Sequence, residues 1–321
     1  MTDVELRPID GGSPQLRIPR LDVRARSSAP DLVDPLAGLE VEADLPSASL
    51  PDLRLFNRYF PASSGLQILA GKGELTGSLR VSSAAKEGAR GELLVAAPGL
   101  RLGYQALTII GDLDARAALN GASFEDLRFD VTGSRLRLDR VRVREGGPRQ
   151  AAVTDPDLAG WWGEVVVTRG GLTPGQATVL EAGVKVQLRD IRPILAVYGV
   201  ESFMPNLIRG LLSAEQAHGE AAVAIGEDRV LINHAQIEGD NLALRARARI
   251  EGKSTHAALL ITFLGLTFGI EIDNGKSQVN ITDPTISFER GEPLPRVVRS
   301  APVTGSRARA LEARRTPRPR R

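Results

Sequence analysis

His218, His234 and His256 are the only histidines in this chain of 321 residues, and there is no cysteine. A zinc site needs such ligands at short spacing, as in HExxH or paired thiolates, and none of the three stands in such a pattern. They read as solvated or hydrogen-bonded side chains. Without cysteine, disulfides and thiolate chemistry are excluded. Gly71-x-Gly73-x-x-x-Gly77 looks superficially like a phosphate loop. It misses the GxGxxG spacing and lies in an alternating segment, so strand glycines explain it better. Asp112/Asp114 and Asp126/Asp130 could pair for acid–base work, but at strand spacing among other charges they read as a wet face. No Gly-x-Ser-x-Gly elbow, P-loop or EF-hand occurs. The expectation is therefore no catalytic residue, no metal and no cofactor: a non-enzymatic chain.

Charge offers one more candidate. Residues 296–321 hold nine Arg and one Glu, while the whole chain is only +2, so the body before them is acidic. Clustered Arg attracts phosphates of nucleic acid or of a bilayer through the same screened field. No aromatic ring interleaves with the Arg, so base stacking is not offered and no nucleic-acid partner is expected. A membrane surface and a solubilising tail remain open. The composition from residue 293 onward predicts disorder.

The elements that would position any site are strands. From Gly91 to Arg144 apolar residues alternate with charged ones, as in Leu93/Val95, Leu113/Leu119, Phe129/Val131 and Val141/Val143, which is the pattern of an antiparallel sheet with one wet face. Alternation returns at Val165–Thr168, at Val184/Val186/Leu188, and through Leu242/Leu244/Ile250 against Arg245, Arg247 and Arg249. Asn274-Gly275 signals a two-residue hairpin. The apolar run from Ala257 to Ile270 falls short of the ~20 residues a span requires and is read as a buried strand pair. The first thirty residues contain no apolar stretch of the signal-peptide kind, and no N-terminal anchor is expected in this chain.

Three short helices punctuate the strands. Asp52 caps the first, which places Leu53, Phe56 and Phe60 on one side before Pro61 stops it. Asp190-Ile191-Arg192 repeats Asp52-Leu53-Arg54, and helices over 191–199 and 205–212 follow. They are read as covers for the ends or edges of the sheet, with contact to a bilayer surface as the alternative. The chain divides into opening strands over 1–50, a helix-plus-strand unit over 51–144, a connection over 145–162, a second such unit over 163–292, and a tail over 293–321. The fold class is all-β with a few short helices: a long antiparallel sheet curled into an apolar-lined groove, or alternatively a β-sandwich or solenoid.

The pattern D-L-x-L-F-N-x-Y-F-P followed by G-L-x-I-x-x-G-x-G-x-L-x-G-x-L-x-V, with the later D-I-R-P-I-L-A-V-Y-G, resembles the AsmA-like proteins of the Gram-negative envelope, TamB among them, over roughly residues 35–290. This resemblance implies a groove that carries phospholipid between inner and outer membrane, in the periplasm and inner-membrane associated in a full-length context, with an envelope protein as a further partner. The chain departs from that family in lacking the N-terminal transmembrane helix and in its short length. Physics adds one reason: a sheet with a bare aliphatic face must cover it with protein or with ligand. The candidate acyl contacts are Leu93, Val95, Leu113, Leu119, Phe129, Val131, Leu242, Leu244 and Ile250. The competing reading is a structural scaffold whose apolar faces pack on each other and which binds partners by its edges.

Overall fold

A computed structural model describes residues 2–6, 16–28, 38–60, 65–83, 88–104, 107–123, 127–145, 160–174, 179–191, 215–226, 228–252, 254–274, 276–285 and 288. In chain order the elements are β1 (Thr2–Leu6), β2 (Leu16–Ser27), β3 (Leu39–Leu50), a 3-10 helix (Leu53–Tyr59), β4 (Leu66–Ala70), β5 (Gly73–Ser82), β6 (Ala89–Tyr104), β7 (Leu107–Leu119), β8 (Gly121–Ser123) and β9 (Arg128–Asp130). They continue with β10 (Arg135–Glu145), β11 (Trp162–Thr173), β12 (Val179–Asp190), β13 (Glu215–Ile225), β14 (Arg229–Gly239), β15 (Leu242–Glu251), β16 (Ser254–Phe263), β17 (Leu266–Asp273) and β18 (Lys276–Asn280). The proposed helices over 191–199 and 205–212, apart from Ile191, and the tail lie outside the described residues.

Among the described residues all eighteen strands belong to one antiparallel sheet, which does not close. The ladder is almost a pure meander: β1 pairs β2, β2 pairs β3, β3 pairs β5, and β5, β6, β7, β10 and β11 follow in turn. From β11 each strand pairs the next through to β18. Short β4 extends the line of β5 along β6, and the β8–β9 hairpin pairs β11. Direct pairing of β10 with β11 carries the sheet past the 145–162 connection without a break. One curled sheet is therefore the architecture, and the sandwich alternative is set aside.

Alternation in sequence becomes two faces in space because successive strand residues point oppositely. The pairing aligns Ala48, Leu75, Val95, Ala115, Leu136, Val165, Val186, Gly219, Ile237, Leu244, Ile261 and Phe268 into one row across twelve strands. No polar residue interrupts it. The adjacent row, on the opposite face, reads Ser49, Glu74, Ala96, Asp114, Arg137, Glu164, Gln187, His218, Glu238, Ala243, Thr262 and Thr267. A slip of one residue anywhere would turn one strand's charges onto the apolar side, so the pattern itself fixes the register.

Bulges bend the ribbon. An extra residue enters β3 between Leu45 and Ala48, β6 between Ala97 and Leu100, and β10 between Asp139 and Arg142. Such insertions bend a strand locally and raise its twist. Asp112 on β7 joins two of them, since its carboxylate accepts the Gly99 backbone N–H at 2.8 Å and binds the Arg140 guanidinium. Gly99 and Arg140 both hold positive φ, +64° and +53°. The carboxyl of Asp112 is held below its usual range, first by the Gly99 N–H and then by Arg140. A carboxyl whose pKa is depressed in the fold adds stability above its unfolded value of about 3.9, lost as pH falls through the folded value. Asp112→Ala should therefore cost about 1–2 kcal/mol at pH 7. Its pH-dependent share should vanish in urea titrations run from pH 5 down to about pH 2.

Candidate functional site

The apolar face is covered at one end. There, β3 stops at Leu50 and the 3-10 helix crosses to the free edge of β4. Asp52 caps it through the Arg54 N–H at 2.9 Å and grips the Arg54 side chain at 2.6 Å. Leu53 N–H then donates to the Gly71 carbonyl. Asn57 completes the attachment by using its side-chain amide as a strand would use its backbone. Its Oδ1 accepts the Ile68 N–H at 2.6 Å, and its Nδ2 donates to the Ile68 carbonyl at 2.9 Å. Leu53 is buried with Leu50, Ile68, Leu75, Ala97 and Leu100, and Phe56 and Phe60 pack against them. Asn57→Ala would strand both groups of Ile68, a cost of about 2 kcal/mol. Hydrogen exchange over residues 66–70 should accelerate while that over β12–β14 stays unchanged.

A second buried cluster covers the same end of later strands. Trp161 donates its Nε1–H to the Asp190 carbonyl at 2.7 Å. Its ring lies over Gly163, where a Cβ would meet ring carbons at 2.7 Å. Leu188, Ile191, Ala217, Leu242, Leu244 and Ile261 are among the side chains buried with Trp161 in this cluster. The repeat seen in sequence is thus a repeat of position: Leu53 and Ile191, equivalent in Asp-φ-Arg triplets, are both buried at a strand end on the apolar side. Trp162 faces the other way, under the Arg137 guanidinium at 4.8 Å from its ring centroid.

Beyond this cap the face stays open on the N-terminal half of the ribbon. Val23 on β2, Leu79 on β5, Leu93 on β6 and Leu136 on β10 are 53%, 41%, 40% and 43% exposed, although each stands in the apolar register. Burial of such side chains is favourable by about 25 cal/mol per Å² of apolar area. An apolar ligand would find an uncovered floor here.

All nine candidate contacts fall on the apolar face, in three different environments. Leu93 is exposed; Val95, Leu113, Leu119, Phe129, Val131 and Ile250 are half-buried. Phe129 stands opposite Leu172, and Val131 reaches over Gly170, so the β8–β9 hairpin continues the floor. Leu242 and Leu244 are 3% exposed within the second cluster. They support the floor from inside the protein and leave no surface for a ligand, because the cap at that end already fills the space. Leu79 and Leu136 belong to the exposed part of the same face, which the sequence does not mark out, since alternation shows the face and not which part of it the cap reaches.

The polar face holds ordinary surface pairs such as Arg116 with Glu92 at 2.9 Å. One hydrogen-bonded series stands out: Ser254 Oγ lies 2.9 Å from His256 Nε2, and His256 Nδ1 lies 3.1 Å from Asp273 Oδ1. The order of atoms is that of a nucleophile, base and orienting acid. It lies on open strands with His256 and Asp273 56% and 69% exposed, and Arg249 beside it is paired to Glu251 at 2.7 Å. Water competes for every bond in the series. Among the described residues no cluster of three or more His, Asp or Glu could hold a metal ion. No described helix is long and apolar enough to cross a membrane. Comparison with protein-family models, with curated proteins and with solved structures gave no match.

Proposed function

We propose that this chain is a non-enzymatic lipid-binding and transfer module of the bacterial envelope, holding phospholipid acyl chains along the apolar face of its ribbon. The observation that carries this reading is the uncovered part of the apolar face on β2 to β10, where Val23, Leu79, Leu93 and Leu136 stay exposed. An isolated sheet face of this extent is costly in water, and acyl chains would cover it without directional chemistry at about 0.8 kcal/mol per buried CH₂. A low aromatic share of 4% suits a floor of aliphatic side chains that slides past different chains equally. The resemblance to AsmA-like proteins points the same way and suggests a periplasmic setting with both membranes as source and sink.

A scaffold reading is favoured by one observation, the two clusters that the protein's own side chains already fill. Native mass spectrometry of the full chain, purified without detergent, separates the two. The carrier shows increments of phospholipid mass, bound on isolation or taken up on incubation with phospholipid. A spectrum of bare protein before and after incubation leaves only the scaffold.

A further inference from the structure

The three most exposed large apolar side chains among the described residues gather at one corner of the ribbon. Leu264 (61%) forms the tip of the β16–β17 turn, Leu266 (72%) begins β17, and Ile281 (75%) follows the edge strand β18. Val279, two residues before Ile281, stands opposite Ile270 on the apolar face. The turn itself is unusual in composition. Leu264 and Gly265 both adopt positive φ, +47° and +83°, a pair that suits Asn-Gly, and the neighbouring β17–β18 turn places Asn274 in that conformation. A leucine in left-handed backbone, pointing into water, is doubly unfavourable for the isolated fold. The turn is nevertheless well fixed, with Phe263 opposite Leu266 and Thr262 Oγ1 at 3.0 Å from Thr267 Oγ1.

We infer that this corner docks on the surface of an anionic phospholipid bilayer, its leucines and Ile281 entering the headgroup boundary while the Arg-rich residues 296–321 bind the anionic headgroups. Charge selects this occupant. Among the described residues the turns of the corner carry no basic side chain, and Asp240 and Asp283 stand on neighbouring turns, so attraction comes from the nine Arg in the chain that follows within a few tens of residues. Apolar insertion and basic attraction together are the two signals that surface binding requires. The corner lies beyond the second cluster from the open floor on β2 to β10, so the inference rests on the corner's own geometry for its existence and takes only its purpose from the carrier reading.

Flotation of the full chain with mixed phosphatidylcholine–phosphatidylglycerol vesicles, and with pure phosphatidylcholine vesicles, tests it. The chain should float with the mixed vesicles and not with the pure ones. Combined Leu264→Ser, Leu266→Ser and Ile281→Ser should weaken binding about tenfold or more, with strand content by circular dichroism unchanged. Replacing the nine Arg of residues 296–321 by Gln should remove the preference for phosphatidylglycerol. As a second readout, the indole emission of a Leu264→Trp variant, compared with that of the parent chain, should gain a blue shift on adding mixed vesicles. No flotation, equal binding of the triple variant, or the absence of that shift would overturn the inference. So would a dimer, seen by sedimentation without vesicles, that the triple variant dissociates. Uptake of a fluorescent fatty acid by the triple variant is measured in parallel. If docking fails and uptake persists, only this inference falls; if uptake fails in the unmodified chain while docking persists, only the carrier reading falls.

Discussion

Gly219→Ala should destabilise the protein by about 3 kcal/mol or more, the largest effect expected of any single methyl group here. Gly219 stands in the middle of the apolar row, opposite Val186 on β12 and Ile237 on β14. A Cβ at this position would lie 2.0 Å from the Gln236 carbonyl oxygen and 2.8 Å from the Ile237 Cα. Both are backbone atoms, so a change of rotamer gives no relief. Separating β13 from β14 would break the ladder next to the β14 bulge, where His234 already holds φ +51°. Gly183→Ala is the control, because nothing lies nearer than 3.4 Å to the methyl it would add. Its change should stay under about 1 kcal/mol. Urea denaturation of both variants measures the contrast. A Gly219→Ala protein as stable as the parent would mean that the strands do not approach as closely as the row requires.

Leu93→Asp with Leu136→Asp should lower lipid loading by about tenfold or more in lipid per protein while the protein stays folded. Both side chains are about two-fifths exposed on the open floor. A carboxylate there keeps most of its water in the empty protein, so each substitution should cost about 1–2 kcal/mol, the buried part of one leucine. Under an acyl chain the same carboxylate loses that water, which is unfavourable by several kcal/mol for an unpaired charge. Leu244→Asp behaves oppositely. Its carboxylate would be buried among Ile261, Ile237 and Phe263, so the protein should lose stability first and lipid only as a consequence. Quantifying extracted phospholipid against thermal midpoint for the three variants separates floor from interior. Loading that survives the Leu93/Leu136 pair would remove the open floor as the binding surface.

Much of this architecture was legible in the sequence because a period of two has a single structural meaning. The alternation from Gly91 to Arg144, the Asn274 hairpin, the Asp52 cap and the reading of Gly73 and Gly77 as strand glycines all reappear in the structure. What sequence could not supply depends on contacts between distant residues. Asp112 read as one solvated carboxylate among several, and its hold on two bulges needs Gly99 and Arg140 to arrive from strands on either side of β7. Pro98-Gly99 inside an alternating stretch was the available hint of a bulge. Asn57 carried no signal, since an amide replacing a strand is visible only once β3 has ended beside β4. Trp161 fell in a segment rich in Gly and Pro and was placed in a connection, yet its indole covers Gly163. Leu242 and Leu244 show the limit most plainly: they share the period and face of Leu93 and differ only in lying under the cap.

Photocrosslinking along neighbouring positions tests the central claim most directly. A photoreactive amino acid is placed singly at Glu92, Leu93, Val165, Glu164, Leu136 and Arg137, and the full chain is irradiated with radiolabelled phospholipid vesicles. The account predicts label at Leu93, Leu136 and Val165 and none at Glu92, Arg137 and Glu164, an alternation that follows the pleat of the sheet. Label on both sets alike, or on neither, would contradict it.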